Sequence, residues 1–144
     1  MTRGVRGRAQ LVTRGDDGTA VLEVLVLGVG LLVPLLYGVI SVMAVQSASY
    51  AATAAAREGA RAYVMSDSPP QGLARARGAT RLVLSDAGVS SSGPTVRCVG
   101  GCLVPGSRVD VTVRVVVPLP LLGGPGVTVT GQESMPVDRY RSAP

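Results

Sequence analysis

Between Val24 and Val45 the chain runs for 22 residues without a formal charge. Coiled as a helix rising about 1.5 Å per residue, this run covers about 33 Å, enough to cross a bilayer hydrocarbon core of about 30 Å. A lone segment in lipid has to satisfy its own backbone polar groups, and only a helix does that. The rest of the chain must be fitted around one apolar helix near the N-terminus. Its entry is unusual: Gly18, four residues, the acid Glu23, and then the uncharged run. An ordinary secretory signal has an apolar core of about 7–15 residues followed by a small-x-small cleavage site. Here the core is longer. The small residues beyond it, Ser47-Ala48-Ser49 and Ala51-Ala52, lie in sequence that still reads as helix. Release by a signal peptidase near residue 50 remains an alternative.

With the leader and the apolar helix set aside, about 80 of the 144 residues remain, enough for a modest core only. Aqueous domains of that size often need a staple. The net charge of +5 comes from 14 arginines, with no lysine and no histidine. Arg3, Arg6, Arg8 and Arg14 cluster ahead of the apolar run. Positive charge flanking a first membrane helix keeps that end in the cytoplasm, so the C-terminal part is expected outside, on the far face of the cytoplasmic membrane. A pI near 10.0 admits nucleic-acid binding. The absence of Phe and Trp leaves no basic stripe interleaved with aromatics, so no nucleic acid is expected as a partner.

Residues 1–18 read as a polar cytoplasmic leader, and residues 19–64 as a membrane helix with an Ala-rich extension. Gly30, Pro34 and Gly38 recur every fourth residue and share one helix face. Small residues at that spacing allow a second helix to approach closely, although Gly and Pro are also simply common in membrane helices. Gln46 to Val64 is rich in Ala, the strongest helix former, which prolongs the helix to about 45 residues or 65–70 Å. Lacking large apolar side chains, this extension needs something to pack on it: its own C-terminal domain or a row of sister helices.

Residues 65–144 read as an exported α+β domain. Pro69-Pro70 breaks the long helix. Leu73, Ala76, Thr80 and Val83 then fall on one side of a short amphipathic helix from Gln71 to Leu84. Ser85 to Pro94 is rich in turn formers and reads as a linker. Thr95–Cys98 and Cys102–Val104 read as short strands either side of a Gly-Gly turn. Arg108 to Val117 alternates, with Val109, Val111, Val113, Val115 and Val117 on one face, the clearest strand in the chain. Pro118 to Gly126 must be loop, Val127 to Thr130 resumes a strand, and Met135 to Tyr140 is a final extended piece. The predicted architecture is α+β: a single long N-terminal transmembrane helix, then a small ectodomain with a short helix and an antiparallel β-sheet.

The chemistry available is limited. Cys98 and Cys102 can reach disulfide distance across the Gly-Gly turn, and an oxidising compartment favours the bond. The alternative is a pair of reduced thiols. Two sulfurs without histidine leave zinc short of ligands, and three intervening residues depart from the two of a redox motif. No His is present for a Ser–His or Cys–His pair and no Lys for a Ser–Lys pair. Neither enzymatic activity nor a cofactor or metal is expected. Glu23 stands out among the carboxylates. Cleavage after Gly18 would give Thr19 a free ammonium, and a carboxylate and an amine on adjacent helices would neutralise each other and set axial register. Buried pairs of this kind add specificity more dependably than stability. The bland reading places Glu23 at headgroup level without a partner.

Gly18, four residues, Glu23 and a long apolar helix resemble the processing site of type IV pilins and pseudopilins. Gly18-x-Ala20-x-x-Glu23, Pro34 and the Ala-Ala-Arg-Glu-Gly-Ala-Arg run from Ala55 to Arg61 together resemble the TadE-like family of tight-adherence pilus assembly proteins. The likeness covers Gly18 to Tyr63; beyond it only a valine-rich sheet pattern is shared. Many family members carry an aromatic residue after the acid, where this chain has Val24. The resemblance implies a minor pilin-like component, cut by a prepilin peptidase between Gly18 and Thr19. Its partners would then be membrane lipid and the subunits of a pilus or secretion machine. The rival reading is a signal-anchored envelope protein whose ectodomain is a binding module.

Overall fold

A computed structural model describes residues 17–119 and 126–140, with side chains from Ala20 onward. The expected leader through residue 16, and residues 120–125 of the expected loop, lie outside this range. Two helices and three strands follow in order: α1 (Asp17–Val64), α2 (Pro69–Asp86), β1 (Ser91–Val99), β2 (Arg108–Val117) and β3 (Val127–Pro136). The protein is α+β, with a single helix long and apolar enough to cross a membrane. Contacts divide the chain into two units, the first ending at Gly38 and the second being Val39–Pro144.

In the first unit, α1 presents large apolar side chains on every side. Val24, Leu25, Leu31, Leu32 and Leu35 are all exposed, and none of the most apolar 18-residue window is buried. A helix that is apolar all round belongs in a protein core or in lipid. Among the described residues, nothing covers it.

The second unit is built on a different principle. Along α1, Ala48, Ala52, Ala55, Ala56, Ala60 and Tyr63 are buried, so the Ala-rich extension is part of this unit's core rather than a bare stem. The strands form an antiparallel sheet in the order β1-β2-β3. The five alternating valines of β2, from Val109 to Val117, are all buried, whereas Asp110, Thr112 and Arg114 are not. Because the largest wholly buried side chains are valines, density must come from close backbone approach. Gly131 of β3 lies against the backbone of Ala52 and Thr53, leaving no room for a Cβ. At Gly59 a Cβ would lie 2.7 Å from Thr80 Oγ1, and at Gly72 3.0 Å from the Tyr63 ring. The Thr80 hydroxyl, buried between the helices, donates to the Ala55 carbonyl at 3.4 Å.

Several boundaries differ from expectation for local reasons. Pro69 and Pro70 not only end α1 but open α2, occupying its first positions behind Ser68, where a missing N–H costs nothing. Helix α2 buries Gly72, Ala76, Thr80 and Leu84, a stripe rotated slightly from Leu73–Val83. It closes with Gly88 at φ +66°, Gly88 N–H donating to the Ser85 carbonyl and Val89 N–H to the Leu84 carbonyl. Ser91 to Pro94 is strand rather than linker, with a register shift between Ser91 and Pro94 and Gly93 at φ +101°. Cys102 to Val104 is not a strand. Leu103 adopts φ +62°, a conformation costing roughly 1 kcal/mol for a non-glycine residue, held there by its burial. Val127 to Pro136 is one strand, joined to the Gly100–Ser107 loop when Val137 N–H donates to the Ser107 carbonyl at 2.9 Å.

Candidate processing and assembly site

The start of α1 carries the residues singled out from sequence. Gly18 and Thr19 fall within its first turn, so the bond between them is part of the helix. Glu23 lies one turn beyond Thr19, exposed, and is the only charged residue between Asp17 and Arg57. Acids in a membrane helix cost about 2.5–3.5 kcal/mol at mid-bilayer and less near the edge. Glu23 stands at the edge of the uncharged run, where that cost is small until a neighbouring helix displaces water or headgroups. As the sole charge between Asp17 and Arg57, the carboxylate is a distinct mark for a partner cation.

Gly30, Pro34 and Gly38 follow on the same helix. The structure has α1 continuous through Pro34, and a Cβ built at Gly30 or Gly38 would meet nothing within 4 Å. Among the described residues, no packing requires these glycines. That contrasts with Gly59, Gly72 and Gly131, each pressed against a neighbouring element.

No family model, curated protein or solved structure gives a significant match to this chain. What the region can do therefore follows from its own residues.

Cys98 and Cys102 form a disulfide that closes the loop after β1. Tyr63 was missed from sequence. Its ring is buried against Gly72 and its hydroxyl lies 3.7 Å from Cys98 Sγ; a disulfide sulfur carries no proton, so the hydroxyl donates. Burial pushes the Tyr63 hydroxyl above the usual tyrosine range. The signal available was modest: Tyr63 is one of four aromatic residues in a chain with no Phe or Trp, and it ends the Ala-rich run. Through it, the end of α1 is tied to the disulfide loop.

Replacing both cysteines by serine is expected to remove about 2 kcal/mol of stability, the loop-closure value for so short a ring. Chemical unfolding of the full chain in detergent, with and without reductant, checks this. A loss below about 0.5 kcal/mol would show that the burial of Leu103 holds the loop without the bond.

Proposed function

We propose that the protein is a single-pass envelope protein of pseudopilin type, a structural or assembly component of a tight-adherence pilus or a related secretion apparatus. The N-terminus lies in the cytoplasm and the C-terminal unit outside. The observation that carries this reading is the pairing of Glu23, the sole charge between Asp17 and Arg57, with an exposed apolar helix that begins beside Gly18. A helix that assembles with copies or sister subunits can use this acid, because Glu23 can meet the ammonium of Thr19 on a neighbour once a prepilin peptidase has cut after Gly18. Gly30, Pro34 and Gly38, which meet no packing partner among the described residues, supply the close-approach face for that neighbour. No carboxylate pair or nucleophile–base pair in the sequence supports an enzymatic role.

Mass spectrometry of the protein from its own host separates the readings. A mature start at Thr19 supports the pseudopilin, an intact N-terminus the signal-anchored binding module, and a start near residue 50 a released domain. Glu23→Ala is expected to leave membrane insertion unchanged and to weaken association by about 3 kcal/mol, more than a hundredfold, by leaving the partner's amine unpaired. Normal co-purification of sister subunits with that variant would exclude the register role.

A further inference from the structure

The second unit contains a cleft of about 680 Å³ that the assembly reading does not use. One wall is the C-terminal half of α2, with Arg77 and Arg81 one turn apart; the other is the serine-rich entry to β1, Ser90 to Pro94. Ser85 adds a further hydroxyl, Leu84 and Val89 supply apolar lining, and no acid or aromatic residue lines the cleft. The β1 side is opened by the register shift: Ser92 and Gly93 have no cross-strand partner in β2, and Gly93 N–H turns to the Ser91 hydroxyl at 3.1 Å. Bulges of this kind gather at strand edges and next to binding sites. Two guanidinium forks among neutral hydroxyl donors suit a phosphate group. With no aromatic face in the cleft, a stacked base has nothing to rest on.

The position of the cleft narrows the source of that phosphate. Helix α2 runs antiparallel to this part of α1, since Gly72 meets the Tyr63 ring and Thr80 meets Gly59 and the Ala55 carbonyl. Residues after Thr80 therefore descend past Ala52 toward Val45. The strands agree: Gly131 sits on Ala52 and pairs through Val113 with Pro94, and Ser91 is further along in the same direction, opposite Val115. The cleft is thus level with about Ala48 to Ala52. Val39, Ile40, Val42 and Met43, the exposed apolar residues of the same unit, begin within two to three turns. At about 1.5 Å per residue, Ala48 and Ala52 lie roughly 5–10 Å beyond Val45, which spans a lipid headgroup layer of about 5–8 Å and its outer edge.

We infer that this cleft holds the phosphate of an anionic membrane lipid, with Arg77 and Arg81 as its ligands. The inference rests on the reading of α1 as a membrane anchor. Bound there, a headgroup would hold the second unit against the membrane surface.

The test uses the full chain in nanodiscs of phosphatidylcholine alone or mixed with phosphatidylglycerol, with retained lipid read by native mass spectrometry. Wild type is expected to retain phosphatidylglycerol in preference, and R77Q/R81Q to lose that preference about thirtyfold. R75Q/R97Q removes the same charge outside the cleft and should leave it unchanged. Equal losses in the two double variants, or no preference in wild type, would overturn the site. Free glycerol phosphate binding as tightly as the lipid would overturn the lipid assignment. Resistance of the chain to alkaline extraction from vesicles reads the anchor separately. Insertion without lipid preference sinks this inference alone; failure to insert sinks the anchor and the inference together.

Discussion

Gly131→Ala is expected to destabilise the second unit by about 3 kcal/mol or more, while Gly78→Ala stabilises it by about 0.5–1 kcal/mol. The same methyl is added in both cases. At Gly131 it would be driven into the backbone of Ala52 and Thr53, and backbone cannot rotate away as a side chain can. Either β3 lifts from α1 or the Val113–Gly131 pairing breaks, and each uncovers the valine face of β2. At Gly78, exposed on α2, the methyl meets nothing within 4 Å, so only the gain in helix propensity remains. Against a typical domain stability of about 5–15 kcal/mol the first change approaches unfolding. Thermal melts of the full chain in detergent, followed by circular dichroism, check both signs. If Gly131→Ala melts with wild type, the small-residue contact between α1 and β3 is not what holds the sheet.

Charge placed within the apolar half of α1 is expected to have the second large effect. Leu31 and Leu35, one turn apart and both exposed, lie near the middle of the uncharged run. Exchanging a central leucine for arginine shifts insertion by about 3–4 kcal/mol, so L31R/L35R shifts it by about 6–8 kcal/mol. The other valines, leucines and isoleucine of the run contribute a few tenths of a kcal/mol each, about 4–7 kcal/mol together, which two central charges offset. The double variant should leave the membrane fraction, whereas L31A/L35A should stay in it. Alkaline extraction of membranes from expressing cells distinguishes them. The second unit should keep its melting behaviour in both variants, because neither residue belongs to its core. Retention of L31R/L35R in the membrane would mean that something other than this helix anchors the chain.

Patterns that repeat along one element could be read without tertiary information. The uncharged run announces an apolar helix through length alone, and the valines of β2 announce a half-buried strand by alternation. Helix α2 was legible in kind, but its boundaries were not. Pro69-Pro70 acts equally well as a stop for one helix and as the first turn of the next, and only the chain on both sides decides between them. The misread segments are those whose conformation is imposed from a distance. Ser91 to Pro94 is composed of turn formers, yet pairing with β2 draws it into the sheet as a bulged strand. Leu103 takes a left-handed conformation because the disulfide and the core together hold it there.

The sequence by itself determined that this protein holds an apolar helix with one acid, Glu23, at the edge of its uncharged run, because charge and length are properties of a single segment. Only the tertiary structure decided what the Ala-rich half of that helix is for. Alanine reports helix but not neighbour, and it took the approach of Gly131, Thr80 and the β2 valines to turn it into a core face. The same holds for the arginines of α2. On a helical wheel they are merely solvated, and the serine-rich bulge of β1, folded against them, makes them two sides of a cleft.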